Sequence, residues 1–419
     1  TIDIFSPWTM LFYFVVLNVV LRLLFIEFHP TELTDQVNSI FYLGQDYSFM
    51  VRSSFIFFFC FLLVVVGFLL CPRSLLSKSI SFFDFNINEG KVLTRFSLLY
   101  LLLSIVGLFF FVKSTFDFSL LFSSLKNLSS HRGTSSSIDE YTAHGYLRLL
   151  VGLSSISLYI SYLKLRTLSR SSLHRLIFFS SLLVALAMSF YTQSRSAFVL
   201  LLLKLVCLEY YLNCRKLPRR LLFTLIPLVV LAFSFLSAIR SSLTPNFADF
   251  NLNIFANSLT SLFLNNGGMD ISKLGHIMDF VNESGTIYLG SSLFDFILAI
   301  VPRAFWPSKP VNIDTFIASA VYNVDCFGCG AVPPGFFAEM YLNFLHIGLL
   351  LGPLLFGFLL RILTNIQLAN IHSLPFILFY VLCLQNIGVA VLGSSVSSFL
   401  MGFFMSSIPL LVIYLFAMS

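Results

Sequence analysis

The sequence predicts an all-α polytopic membrane protein with about ten transmembrane helices and one large outer loop. Three observations carry that prediction. Hydrophobic residues make up 58% of the 419 positions and charged residues only 11%, where a soluble domain carries about 25% charged residues. Mean hydropathy is +0.91. Apolar runs of roughly 20 residues recur along the whole length, each long enough to cross a bilayer as a helix. These runs are continuously apolar and do not alternate, which argues against a strand-built barrel.

The expected spans lie at about 8–27, 53–71, 96–112, 145–163, 176–193, 197–214, 221–239, 338–360, 373–392 and 396–417. The first, PWTMLFYFVVLNVVLRLLFI, is long enough to remain as a span, and no cleavable leader is evident. Three connections are rich in Lys and Arg: Arg73 to Arg95, Lys164 to Arg175 and Arg215 to Arg220. The positive-inside rule places all three in the cytoplasm, and alternation of the spans makes the three placements agree. Both termini and Arg361 then fall inside. The outer face receives the acidic loop 28–52, the polar loop 113–144, the turn Gln193–Ser196 and a segment of nearly a hundred residues from Arg240 onward.

This gives an N-terminal bundle of about seven helices over 1–239, a large outer loop over 240–337 and C-terminal transmembrane helices over 338–419. Within the loop, NIFANSLTSLFL at 253–264 is amphipathic. SLFDFILAIV at 292–301 is too short to span, so it lies in the interface or re-enters the membrane.

The formal charge of +6 does not point to nucleic acid, because the cations sit at helix ends and form no exposed stripe. Of seven cysteines, five lie in or beside apolar segments and read as small buried hydrophobes. Cys326 and Cys329 have CxxC spacing on the outer side. No further ligands accompany them, which leaves a local disulfide as an option in an oxidising compartment.

Ionisable residues at membrane depth are costly and usually face an interior or aqueous cavity. The cytoplasmic cations are explained by orientation, whereas the outer arginines are disfavoured by it. Arg195 lies in the QSRSA turn, Arg240 closes the seventh span, and Arg303 follows the short apolar stretch with Lys309 six residues on. Arg132 and Arg148 flank the outer loop before the fourth span. Each either snorkels to lipid phosphate or pairs with a loop carboxylate. Alternatively, Arg195, Arg240 and Arg303 point into one cavity, where guanidinium suits bidentate phosphate recognition. An anionic head on an apolar tail, such as a lipid-linked pyrophosphate, fits that chemistry.

The eighth span opens FFAEMYLNFLHIG. Glu339, Asn343 and His346 stand at i, i+4 and i+7, so on a regular helix they share a face. They are either a hydrogen-bonded helix contact or a wet face with Glu339 as a general base; Tyr341 is a further candidate beside them. Tyr288, Trp306 and Tyr322 either stack on sugar rings or anchor at the interface. No phosphate-binding glycine loop, HExxH, EF-hand or Asp-x-Asp pair is present, so neither a cofactor nor a metal is expected. A substrate carrying its own leaving group is.

IVPRAFWPSKP at 300–310, VPPGFFAEMYLNFLHIGLLLGPLLFG at 332–357 and the QSRSA turn at 193–197 together resemble the bacterial O-antigen polymerases of the Wzy type. The layout matches over nearly the whole chain and the specific motifs over about 60 residues. The resemblance implies a fold similar to multi-span membrane glycosyltransferases with a large periplasmic loop. It implies a metal-independent enzyme of the inner membrane. Its substrate would be an oligosaccharide repeat unit on undecaprenyl pyrophosphate, polymerised at the periplasmic face, with a chain-length regulator and a repeat-unit flippase as partners. Arg303 matches the family's "PR…P.KP" arginine, Arg195 its "SR" turn, and Glu339 the acid before "Y.NF". Arg195, Arg240 and Arg303, with Lys309 nearby, would offset charge on the departing pyrophosphate. Glu339 would take the acceptor's proton, and direct displacement would invert the anomer. Pro302, Pro307 and Pro310 would stiffen the loop holding Arg303 and Lys309. The competing classes are an O-antigen ligase acting on lipid A core, a lipid-linked oligosaccharide flippase, and a non-catalytic scaffold.

Overall fold

A computed structural model of the chain describes residues 3–21, 23–24, 47–76, 91–115, 145–167, 172–191, 195–216, 223–225, 227, 271–299, 301, 306, 308–322, 332–384, 387 and 393–418. Helices dominate these residues, and no strand occurs among them. In chain order they are α1 (Pro7–Val15, continued by a π turn Val16–Val20), α2 (Tyr47–Leu70), α3 (Lys91–Thr115), α4 (Gly145–Thr167), α5 (Ser172–Tyr191), α6 (Arg195–Leu212) and α7 (Ser272–Ser284). A 3-10 turn Ser291–Phe294 leads into α8 (Asp295–Ala299). Then follow α9 (Ile313–Ala320), α10 (Phe336–Asn370), α11 (Leu374–Phe379, continued by a π turn Tyr380–Leu384) and α12 (Val396–Met418). Among the described residues, five helical stretches are long and apolar enough to cross a membrane: Val51–Leu70, Lys91–Lys113, Ser172–Ser189, Phe336–Asn370 and Val396–Phe416. Phe55, Leu69, Leu183 and Leu355 on these helices are strongly exposed, as lipid-facing side chains would be. The chain is therefore a multi-pass helical membrane protein.

The chain gathers into two compact units. Unit 1 contains 1–79, 259–369 and 384–403; unit 2 contains 80–258, 370–383 and 404–419.

In unit 1, α2 runs parallel to the later part of α10. Cys60 lies against the Leu349 carbonyl, the Arg361 guanidinium sits 4.9 Å over the Phe68 ring, and Asn365 donates to the carbonyls of Pro72 and Leu75. The backbones touch where Gly67 meets the Leu354 carbonyl and Gly357 meets the Val64 carbonyl; a Cβ on either glycine would collide with main chain. Such small-residue crossings are how apolar helices gain packing when lipid competes for every side chain. α1 is capped by Ser6, whose oxygen accepts from the Thr9 N–H, and has Pro7 at its first position. At the opposite end of α2, Arg52 donates to both oxygens of Asp279 on α7, and Phe49 packs on His276 at 4.7 Å.

α10 is not one straight helix. Leu345 has φ 53° and ψ −140°, outside the helical region. The Phe336 and Phe356 rings lie 4.9 Å apart, whereas twenty residues of continuous helix would separate them by about 30 Å. Gly348 lies against the Met340 carbonyl and Gly352 against the Met340 side chain. The chain therefore reverses at Leu345: a short arm, 336–344, packs antiparallel on a long arm, 346–370. The long arm alone has 25 residues (370 − 346 + 1), enough for a span. The single span expected at 338–360 is corrected accordingly. Hydropathy sees one apolar run there and is blind to a reversal inside it.

Unit 2 is built around α3, α4 and α5, with Leu101, Val151, Ile177 and Val184 at the centre. Serines cross between these helices: Ser157 Oγ donates to the Ser97 carbonyl, and Ser181 Oγ donates to Ser157 Oγ. α6 joins α4 through Glu209, which accepts from Arg166, Tyr162 and Asn213. Tyr159 donates to the Leu201 carbonyl. The later part of α12 is held by the Tyr100 hydroxyl on the Pro409 carbonyl and the Tyr414 hydroxyl on the Pro375 carbonyl. Cys60, Cys71, Cys207 and Cys383 are buried, as small hydrophobes would be, but Cys214 is exposed. It follows the end of α6 at positive φ, in the turn where the chain leaves the helix.

Candidate functional site: a buried carboxylate network in unit 1

The short arm of α10 begins after Val332–Pro333–Pro334–Gly335. The prolines keep this approach extended. It is pinned by Lys273 Nζ donating to the Pro333 carbonyl and by the Val332 N–H donating to the Asp314 carbonyl. Gly335 at φ 77° makes the entry, and its carbonyl accepts the first helical bond from the Glu339 N–H.

Glu339 and Asn343, one turn apart, face the segment 288–295. Ser292 Oγ donates to Glu339 Oε1 at 2.9 Å. Asn343 Nδ2 donates to Ser292 Oγ at 2.7 Å and to the Glu339 carbonyl at 2.8 Å, while its Oδ1 accepts from the Gly290 N–H at 2.8 Å. The Tyr288 N–H donates to the Leu342 carbonyl, and the buried Tyr341 hydroxyl donates to Asn282 Oδ1. The loop is thereby tied to the short arm by several bonds.

The other oxygen of Glu339, Oε2, accepts from the Val396 N–H at 2.6 Å. Val396 is the first residue of α12, whose cap is Ser395: its Oγ accepts from the Ser398 N–H and its carbonyl from the Phe399 N–H. Ser398 Oγ then donates to Asp314 Oδ2 at 2.7 Å. Two carboxylates thus meet the N-terminus of α12, where free N–H groups and the helix dipole favour negative charge. A third acid, Asp295, accepts from the Ile313 N–H at the start of α9.

Burial dominates the electrostatics of the loop acids. It raises the Asp314 carboxyl above its usual range, against the hydrogen bonds from Ser395 and Ser398 and the charge of Lys273. It raises Asp295 too, against the Ile313 N–H, with the Asp314 charge adding to the rise. Tyr288 is pushed up to about 12 by burial and by Asp295. Asp314 Oδ1 is buried with no hydrogen-bond partner among the described residues.

Glu339 and Asn343 therefore come together. His346 does not join them, which corrects the shared face expected at i, i+4 and i+7. It lies past the reversal, exposed, with its ring 5.4 Å from Tyr341. Lys309 Nζ donates to the Val301 carbonyl, and its N–H to the Trp306 carbonyl. Tyr322 is buried against His276, and Tyr288 packs on Phe316. Arg195 is the first residue of α6, but its side chain lies outside the described residues. Arg240, Arg303, Pro302, Pro307, Arg132, Cys326, Cys329 and the stretch 253–264 lie outside them altogether.

Ser292, Asp314, Ser395 and Ser398 are missing from the sequence reading. Ser395 and Ser398 carried a visible signal, since SSVSSF before an apolar run is a helix-start pattern. Asp314 had only its place in the first turn of a short helix after the Asn312 cap. Comparison with known families, with curated proteins and with solved structures finds no match to this chain.

Proposed function

We propose that the chain is a membrane glycosyltransferase that polymerises undecaprenyl-pyrophosphate-linked oligosaccharide repeat units at the outer face of the bacterial inner membrane. The observation that carries this reading is the Glu339 network, a wholly buried carboxylate where the outer loop, the short arm of α10 and the start of α12 meet. The acid of the family-like motif is the one that ties these elements together.

Glu339 has no exposed surface and both its oxygens are occupied. In this reading the acceptor hydroxyl replaces Ser292 on Oε1, while Val396 holds Oε2 in place. The acceptor oxygen attacks the anomeric carbon as its proton passes to Glu339. The bond from that carbon to the pyrophosphate breaks, and undecaprenyl pyrophosphate leaves with the electron pair. Arg195, Arg240 and Arg303 are the proposed partners of the leaving group, with Lys309 supporting the loop. Ten spans, a periplasmic site, cytoplasmic termini, and a chain-length regulator and flippase as partners belong to the same proposal.

The test uses purified protein in lipid with an undecaprenyl-pyrophosphate oligosaccharide as sole substrate, read as a glycan ladder on a gel. Wild type should give a ladder without added nucleotide or metal, and Glu339→Gln and Arg303→Ala should lose it. A ladder that survives Glu339→Gln removes the base role. Transfer only after lipid A core is added moves the assignment to ligase. No transfer to either acceptor leaves a transporter.

A further inference from the structure

Unit 2 holds a cavity that this reaction does not use. It lies between α4, α5 and α6 and has a volume of about 580 Å³, within the range of small-molecule sites. Helical periodicity explains its wall. Ala197, Leu200, Leu201 and Lys204 recur at i, i+3, i+4 and i+7, so they form one face of α6.

Among the described residues, Lys204 is the one cation in that wall. Its Nζ donates to the Leu382 carbonyl at 3.1 Å, in the π turn after α11. An ammonium has three donors, and the ionisable groups near it are the thiols of Cys383 and Cys207. No carboxylate faces Lys204 among the described residues. A cation in an apolar bundle without an acid is costly, and an anion in the cavity would relieve that cost.

Of the four hydroxyls in the wall, three donate to backbone carbonyls, and the fourth belongs to Ser154. Tyr159 donates to the Leu201 carbonyl, Ser155 to the Gly152 carbonyl and Ser189 to the Ala185 carbonyl. Lys204 is thus the charged group that an anionic head would meet, with the Ser154 hydroxyl in the same wall, and the leucines, valine, alanines and methionine of the lining suit an apolar chain. Arg195 stands nine residues earlier (204 − 195). At 100° per residue that places it on the opposite side of α6, about 13 Å along the helix, so this cavity is separate from the pyrophosphate role proposed for Arg195.

We infer that the cavity between α4, α5 and α6 binds a single-chain anionic amphiphile, its carboxylate or phosphate paired with Lys204 and its chain on the apolar wall. Binding to the purified full chain in a neutral detergent is measured by native mass spectrometry. The probes are palmitate, dodecyl phosphate, lysophosphatidylcholine and inorganic phosphate. Palmitate and dodecyl phosphate should each saturate one site. Lys204→Met should weaken them on the order of tenfold or more, the weight of a hydrogen bond to a charged group, and Lys204→Arg should retain them. Ala197→Trp, which fills the cavity, should abolish them. Equal binding of the zwitterionic lysophosphatidylcholine overturns the role of charge. Displacement of dodecyl phosphate by equimolar inorganic phosphate overturns the role of the chain. Unchanged binding in Lys204→Met and Ala197→Trp overturns the site. Should either variant fail to fold, the four probes on wild type still decide between head and chain.

Discussion

Asp314 shows how a single residue can set the pH response of unit 1. Its Oδ2 is held by Ser398, while its Oδ1 is buried with no hydrogen-bond partner among the described residues. An ionised carboxylate so placed loses water on one side and gains nothing for it. Burial therefore raises the carboxyl above its ordinary value of 3.8. Between 3.8 and the raised folded-state value, the native chain binds more protons than the unfolded one, so stability falls as pH rises through that window. Asp295 is shifted the same way and adds to the slope. Thermal unfolding in detergent should show a midpoint that drops from acidic toward neutral pH. Asp314→Asn keeps an acceptor for Ser398 but carries no charge, and it should flatten that drop. A slope that is unchanged in Asp314→Asn would assign the response to other groups. Composition gave no hint of this behaviour, because Asp314 reads as an ordinary first-turn acid until α12 is seen to cover it.

At the scale of elements, the reversal in α10 decides which residues can act together. A straight helix would have lined up Glu339, Asn343 and His346; the fold-back keeps the first two and moves the third away. Leu345 adopts φ 53° with ψ −140°, a sparsely populated conformation costing a residue with a Cβ on the order of 1–3 kcal/mol. Met340 against Gly348 and Gly352, and Phe336 against Phe356, hold the two arms together against that cost. Spin labels at positions 336 and 356 should report a separation well below the roughly 30 Å of a straight helix. Leu345→Gly should leave it unchanged, since glycine adopts positive φ freely. A distance near 30 Å would mean the arms are collinear and the Glu339 network is not the resting arrangement. The sequence made the helices legible because twenty apolar residues in a row are a strong signal. It hid the reversal because its only marks are a glycine at 348 and an unremarkable leucine at 345. Lys204 was legible in LLLLKLVCL, a lone charge within that apolar run, yet nothing in the sequence shows which carbonyl it reaches or which cavity it lines.

For the whole molecule, orientation follows from where each unit carries its cations. In unit 1, α2 and the long arm of α10 run parallel, so Arg73 and Arg361 share one end, while Arg52 and Asp279 of α7 lie at the other. In unit 2, Arg166 meets Glu209 toward the C-terminal ends of α4 and α6, near the RKLPRR connection. On the orientation proposed above, the cation-bearing end of each unit would face the cytoplasm, and within unit 1 the Glu339 network would lie toward the opposite face. Cys214 is an exposed native probe for unit 2. Ser74 and Ser284, both exposed, serve unit 1 once changed to Cys. In a background without the other cysteines, a membrane-impermeant maleimide on intact cells should label Ser284→Cys. Cys214 and Ser74→Cys should react only after the inner membrane is permeabilised. If Ser284→Cys and Ser74→Cys react from the same side, unit 1 does not cross the membrane as its cations require. If Cys214 reacts in intact cells, the cytoplasmic side proposed for that end of unit 2 is wrong, and the periplasmic placement proposed for the Arg195 turn is lost with it.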